Sequence, residues 1–404
     1  MIHSVPEGEI PGSLPFRTGL ERLVTDLRDH QPRGPFGLVM NRASIDADVR
    51  LACDVLASAC PGQLTALLTP QHGLWGEQQA NMVESSHGRH ARLNIPVYSL
   101  YSDTRRPTAQ MLNGLSALVI DLQDVGTRVY TFVWTMLYCL QECAARQLPV
   151  IVLDRPNPIG GELAEGPLLD LSCRSFVGEA GVPMRHGLTM GELALYLNQQ
   201  HRIHADLTVV PLEGWTRSMW FEMLNRIWVP PSPNMPTVQT AAVYPGQVLL
   251  EGTNLSEGRG TTVPFEVVGA PFVDPDEFCE LLTECRLPGV RFLPVRFTPT
   301  FDKWSGCSCG GVSIHVTDRP SFRPYRMTVS LLAVCQRRYP DAFRLTDPPY
   351  EYERVLAPLD IISGSHRLRQ ALRNSSVSVP DVVAAAGALD EQAWWDTVRP
   401  YLLY

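Results

Sequence analysis

Short apolar runs that alternate with helix-spaced apolar positions constrain this chain more than any other feature in it. GLVM (37–40) is followed by VRLACDVLASA (49–59), whose apolar residues recur near every 3.6 positions. LTALL (64–68) and VYSLY (97–101) come next. ALVIDL (117–122) then precedes the mostly apolar helical stretch 129–146, and VIVLD (150–154) follows. Runs this apolar, separated by helices, read as parallel strands buried on both faces. The rhythm predicts a doubly wound, Rossmann-like α/β domain.

In open parallel sheets, ligands bind beyond the carboxyl ends of the strands. Four predicted strand ends carry dense polar groups: Asn41-Arg42, then Thr69-Pro70-Gln71-His72, then Gln123-Asp124 with Arg128, then Asp154-Arg155-Pro156-Asn157. Together they predict a crevice lined with hydrogen-bonding groups. Singly, Asp and Asn at such places also serve as helix caps and turn formers.

Several cofactor motifs are missing. No G-x-G-x-x-G follows the first strand, and no G-x-x-x-x-G-K-[ST] or G-x-S-x-G occurs. EGRGTT (257–262) lacks the spacing and the lysine of a phosphate loop. No nucleotide cofactor or nucleophile elbow is therefore expected. The ten cysteines are scattered, with no C-x-x-C and no histidine cluster to complete a metal site. They read as small buried hydrophobes in a reducing compartment.

Of 404 residues, 45% are apolar and 19% charged, which suits a globular chain with a large core. The net charge of −8 and the lack of a basic tract argue against nucleic acid or an anionic membrane as partner. No run reaches the roughly 18 apolar residues of a spanning helix. The opening residues, polar and rich in Pro and Gly, show no secretory signal. A cytoplasmic protein is expected, with export by another route left open. Lys303 is the sole lysine.

Further along, HGLTMGELALYLNQ (186–199) reads as a loop feeding a helix. Thr189 is its N-cap and Glu192 completes a capping box. His186 sits just before that start, either structural or facing the crevice. LTVVPL (207–212) reads as a strand. WVPPSPNMPT (228–237) is too proline-rich for helix or central strand and reads as a rigid turn holding Ser232 and Asn234. The segment 244–272 packs Glu251, Asn254, Glu257, Arg259 and Glu266 between glycines and reads as loop between short strands. Strands at 290–297 and 311–317, a helix at 323–339 and a final helix at 391–404 complete a smaller α+β domain. The expected division is 1–240 and 241–404, with a cleft between.

Carboxylates in a glycine-rich setting, with Asn, Gln, Arg, His, Trp and Tyr nearby, suit a sugar. Such a set serves an enzyme or a binding protein without turnover. Glycosidic cleavage uses an acid and a second carboxylate, roughly 5–5.5 Å apart in retaining enzymes and roughly 6.5–9.5 Å in inverting ones.

Several long motifs sharpen this: PVYSLYSDTRRPTAQML (96–112), DLQDVGTRVYTFVWTM (121–136), VLDRPNPIGG (152–161), SFVGEAGVPMRHGLTMGELA (175–194), PSPNMPT (231–237), EGTNLSEGRGTTVPFEVVGAP (251–271) and the terminal YLLY. On these, the chain from about residue 18 onward resembles the DUF1343 family, the NamZ-type exo-β-N-acetylmuramidases of glycoside hydrolase family 171. The resemblance implies release of N-acetylmuramic acid from non-reducing ends of peptidoglycan fragments, without metal or nucleotide.

One position departs from the family pattern. Family members of this type carry Pro-Glu-His-Gly where this chain has Pro70-Gln71-His72-Gly73, and that Glu is the family's proposed catalytic carboxylate. An amide cannot give a proton as a carboxylic acid does. Three readings follow. The chemistry has moved to another acid, with Glu77, Glu84, Asp121 and Asp124 as candidates. Or the site binds without cutting. Or it takes a different glycan, with Gln71 as a hydrogen-bonder. The expected roles are Asp124 or Glu77 as acid/base, and His72, Arg128, Asn157 and Asn234 orienting the sugar. Arg128 and Arg259 suit the lactyl carboxylate, because guanidinium pairs with carboxylate bidentately. Asn41, Tyr130, Asp154, His186, Asn254 and Glu257 complete the expected substrate-facing set. Tyr130 has a packing alternative, and Glu257 an ion pair with Arg259.

Overall fold

A computed structural model describes residues 15–79, 83–374 and 376–404. The opening residues in which a leader was sought, up to 14, and part of the loop after Gln71, 80–82, lie outside it.

The apolar runs become the strands β1 (Phe36–Met40), β2 (Leu64–Thr69), β4 (Pro96–Ser99), β5 (Ala117–Asp121), β6 (Val150–Leu153) and β9 (Leu207–Val210), while the short strands β3 (Gly88–Arg89), β7 (Glu165–Leu168) and β8 (Pro183–Arg185) lie outside them. Seven form one sheet in the order β3-β4-β2-β1-β5-β6-β9. All its pairings are parallel except that of β3 with β4. Both faces are covered, and the period of two decides which residue goes where. Phe36, Leu38 and Met40 of β1 pack with Leu20, Leu23 and Leu56 on one face. Val39, with Leu118 and Ile120 of β5, joins the core under the helix Phe132–Ala144 on the other. Order reverses beside β1, which pairs with β2 on one side and β5 on the other.

β10 (Val267–Ala270), β11 (Val290–Phe297) and β12 (Cys309–Val316) form an antiparallel sheet in the order β10-β12-β11. The helix Pro275–Glu284 covers it, and the helix Pro324–Arg338 packs on that helix, with a buried face that belongs to the same core as the N-terminal helices. Glu165 of β7 reaches across: its carboxylate accepts from the backbone N–H groups of Tyr325 and Arg326 at 3.0 and 2.8 Å, at the start of that helix.

Two expectations give way. Residues 244–252 are helical, not loop: the helix Val238–Gln247 runs on into a tighter turn over Val248–Gly252. Pro245-Gly246 reads locally as a turn, but here it sits where two helices touch. A Cβ on Gly246 would lie 1.9 Å from the Pro324 carbonyl oxygen, so the contact admits only glycine. The final helix stops at Val398, and the tail beyond it returns to the first sheet. There Leu403 N–H donates to Glu192 Oε1 at 3.0 Å. Among the described residues, no helix is long and apolar enough to cross a membrane, and all ten cysteines are free thiols.

Candidate active site

The loop after β2 turns sharply. His72 and Gly73 both adopt positive φ, 76° and 77°. A Cβ at Gly73 would come within 3.2 Å of the Glu77 carboxylate. This turn buries Gln71 and His72 and leaves Glu77 exposed.

Gln71 and His72 form one wall of a small cavity. A second wall is the segment after β5, with Tyr130 and Thr131. A third is the proline turn, with Ser232 and Asn234. The C-terminal half supplies the rest: Tyr244, Glu251, Arg259, Phe265, Tyr350 and Glu351. The aromatic rings brace one another edge to face, Tyr130 on Tyr244 at 6.0 Å and Tyr244 on Phe265 at 4.8 Å between centroids. Such a lining offers a sugar both an apolar face and convergent polar groups.

Among the described residues, the cavity's carboxylates are Glu251 and Glu351. Glu251 accepts from Arg259 at 2.6 Å and from the Tyr350 hydroxyl at 2.7 Å. Arg259 also pairs with Glu257 at 3.1 Å, and Lys303 bonds Glu257 at 2.9 Å. Burial penalises the charge on Glu257, but Lys303 and Arg259 outweigh it and hold its carboxyl below the usual range. Burial likewise opposes the charge on Arg259, yet Glu251 and Glu257 raise its pKa. The result is a buried, compensated row of charges behind one wall.

Glu351 is different. Tyr101 donates its hydroxyl to Oε2 at 2.7 Å, and the Gln71 amide donates to Oε1 at 3.4 Å. Gln71 Oε1 in turn accepts from the Thr131 hydroxyl at 2.9 Å, which fixes the amide's orientation. Burial pushes the Glu351 carboxyl above the usual carboxylate range. The Tyr101 bond opposes this, the charge of Glu251 adds to it, and Gln71 and Arg105 pull it back. Glu351 and Tyr352 hold φ of 43° and 69°, conformations that cost side-chain-bearing residues about 1–3 kcal/mol each and collect at functional sites.

His72 Nδ1 lies 2.6 Å from the Gln78 carbonyl oxygen. A carbonyl only accepts, so Nδ1 carries the hydrogen and Nε2 is left as an acceptor. Burial lowers the His72 pKa to about 4, against the Gln78 bond that raises it.

The structure thus brings together Gln71, His72, Tyr130, Asn234 and Arg259 of the expected residues. It does not bring Glu77 or Asp124 to the cavity wall. Asp124 closes its own turn, accepting from Gly126 N–H at 2.7 Å with His186 Nε2 at 3.5 Å. His186 is buried and accepts from Leu188 N–H at 3.1 Å. Asp121 takes Arg155 at 2.5 Å inside the protein. Glu84 lies 3.8 Å from Arg105 at the surface.

Other expected ligands are spent on the fold. Arg128 donates to the carbonyls of Pro167, Val182 and Ile362 at 2.9, 2.9 and 3.0 Å, and burial lowers its pKa to about 10. Asn41 bonds the Gln123 carbonyl at 3.1 Å, which closes the crest between β1 and β5. Asn157 donates to the Leu188 carbonyl, and Asn254 to that of Ala342. Asp154 accepts from Gly191 N–H, from the Thr189 hydroxyl and from Tyr404. Thr189 and Glu192 form the expected capping box. Of the four polar strand ends, that of β2 lines the cavity directly, and that of β5 leads into the wall formed by Tyr130 and Thr131.

Sequence reasoning passed over Glu351, Tyr101, Tyr244, Tyr350 and Thr131, and named Glu251 without a role. The one local hint at Glu351 was DPPYEYE (347–353), a proline-led turn carrying alternating Tyr and Glu. Among the described residues, no group of three His, Cys, Asp or Glu is placed to hold a metal. A wider groove lies between the helices Pro275–Glu284 and Pro324–Arg338, lined by residues of the C-terminal half.

Residues 36–239 match the family model described as exo-β-N-acetylmuramidase NamZ, N-terminal, and 242–404 match its C-terminal counterpart. The chain is 39% identical over 388 residues to the peptidoglycan β-N-acetylmuramidase NamZ of Bacillus subtilis (strain 168), covering 96% of this chain and 91% of that one. A crystal structure of a DUF1343 family protein from Bacteroides fragilis superposes with a TM-score of 0.87 at 31% identity, over 96% of this chain and 99% of that one. A second DUF1343 structure from the same organism, at 24% identity and TM-score 0.75 over 97% and 99%, shares the fold.

Proposed function

This chain belongs to the NamZ exo-β-N-acetylmuramidase family, and from that premise we propose that its cavity hydrolyses the terminal N-acetylmuramic acid linkage of peptidoglycan fragments. One observation carries the reading: two carboxylates, Glu251 and Glu351, share the wall of a small aromatic and amide-lined cavity. Glycoside hydrolysis asks for such a pair beside a sugar-shaped space.

The walls divide the work. Asn234 and His72 Nε2 meet hydroxyl or amide groups of the sugar, and Tyr130 and Tyr244 pack its apolar face. Arg259 holds Glu251 in place and is the cation on the wall for the lactyl carboxylate. We assign the two family segments, meeting near residue 240, as the units whose junction forms the cavity.

Purified protein with 4-nitrophenyl β-N-acetylmuramide tests this. Release of 4-nitrophenol with free N-acetylmuramic acid is the expected result. Saturable binding without release makes the protein a sugar-binding relative. Release only from other aryl glycosides makes it a glycosidase of different specificity.

A further inference from the structure

Gln71 and Glu351 face each other across one hydrogen bond, and their roles follow from what each can carry. Gln71 Oε1 is occupied by the Thr131 hydroxyl, so its NH₂ group is the face it shows to Glu351. Tyr101 shows Glu351 a second donor. Two donors converging on one carboxyl, itself on the cavity wall, make a site that stabilises the carboxylate left after a proton has gone. A carboxyl at position 71 would compete for that proton, because like charges at such a distance do not both ionise readily. An amide never competes.

We propose that Glu351 is the general acid of this enzyme and that Gln71 is its positioning residue. This rests on the glycosidase reading above. The Glu351 proton passes to the bridging oxygen as the C1–O bond breaks, and the bond's electron pair leaves with that oxygen as an alcohol. Glu351 is left as a carboxylate bonded by Tyr101 and Gln71. Water then gives its hydroxyl to C1 and its proton to the Glu251/Glu351 pair. Glu251, Arg105 and the phenols Tyr101, Tyr244, Tyr350 and Tyr352 are the titratable and charged groups that bear on Glu351.

The test compares two substrates in wild type, Glu351→Gln, Glu351→Asp and Gln71→Glu. A β-1,4-linked N-acetylmuramyl-N-acetylglucosamine disaccharide needs a proton on its leaving group. The 4-nitrophenyl muramide needs little or none. Glu351→Gln is expected to lose about a hundredfold or more in kcat/KM on the disaccharide and far less on the nitrophenyl glycoside. It also loses the basic limb of the pH–rate profile, which Glu351→Asp keeps. Gln71→Glu moves that limb to higher pH, because a second carboxyl raises the pKa of the first. The assignment is overturned if Glu351→Gln, folded by circular dichroism, slows both substrates equally with the basic limb unchanged. It is also overturned if Gln71→Glu speeds the disaccharide while Glu351→Gln leaves it untouched. Should wild type cleave no muramide at all, the functional reading itself falls, and this assignment with it.

Discussion

The hydroxyl of Tyr404 donates to Asp154 Oδ2 at 2.7 Å and accepts from the backbone N–H of Leu212 at 2.6 Å. Tyr404 thereby closes on the ends of β6 and β9, at the edge of the sheet that β9 forms. Asp154 already takes Gly191 N–H and the Thr189 hydroxyl at the start of the helix Met190–Gln200. Tyr404→Phe removes one donor from a fully buried carboxyl. It is expected to cost about 1.5–3 kcal/mol in urea unfolding, the range for a hydrogen bond to a charged group. Turnover of the folded protein stays unchanged. A cost near zero would mean that the tail merely lies against the sheet.

Arg128 separates fold from site. Its guanidinium spans carbonyls of Pro167, Val182 and Ile362, so it ties segments far apart in sequence. Lysine keeps the charge but has one nitrogen and no fork. Arg128→Lys should lower stability by on the order of 3 kcal/mol, with KM for a muramide unmoved. A raised KM with full stability would return Arg128 to the substrate.

Arg105 lies between the rings of Tyr101 and Tyr352, 4.3 and 4.2 Å from their centroids. Its charge pulls the Glu351 pKa down. Replacing it with methionine keeps the stacked stem and removes the charge, so the Glu351 pKa rises. The basic limb of the pH–rate profile should then shift to higher pH. A shift to lower pH contradicts Glu351 as the group that must be protonated.

His72 should stay neutral, with hydrogen on Nδ1, down to about pH 4. Its ordinary value is 6.5, so the unfolded chain takes up the proton first as pH falls. The stability it contributes is therefore present above 6.5 and drains away as pH falls toward 4. Nitrogen NMR of the ring and denaturation at pH 5 and 7 in wild type and His72→Gln check both statements. A ring that charges near 6.5 shows that water reaches it freely.

The legible and illegible parts of this protein differ in range. Strands β1, β2, β5 and β6 and the Thr189–Glu192 capping box were readable because each is decided by residues within a few positions. Pro245-Gly246 misled because the contact that makes it helical comes from Pro324, nearly eighty residues on. The same holds for the site. Gln71 and Glu351 are 280 positions apart, and no local pattern links them. Strand-end carboxylates such as Asp124 and Asp154 stood out by position, but Asp154 spends both oxygens on neighbouring N–H and O–H groups, and Asp124 spends Oδ2 on its own turn while Oδ1 stays buried without a hydrogen-bond partner. Position along a sheet edge marks which residues can reach a crevice; it does not say which have donors left over for a ligand.

The most direct measurement is a crystal structure of Glu351→Gln with the intact muramyl-glucosamine disaccharide bound. The account predicts the bridging oxygen within hydrogen-bonding distance of side chain 351, with the Gln71 amide still bonded to that side chain and Glu251 on the same sugar. A disaccharide seated against Glu77 or Asp124, with residue 351 out of reach of the bridge, would contradict it.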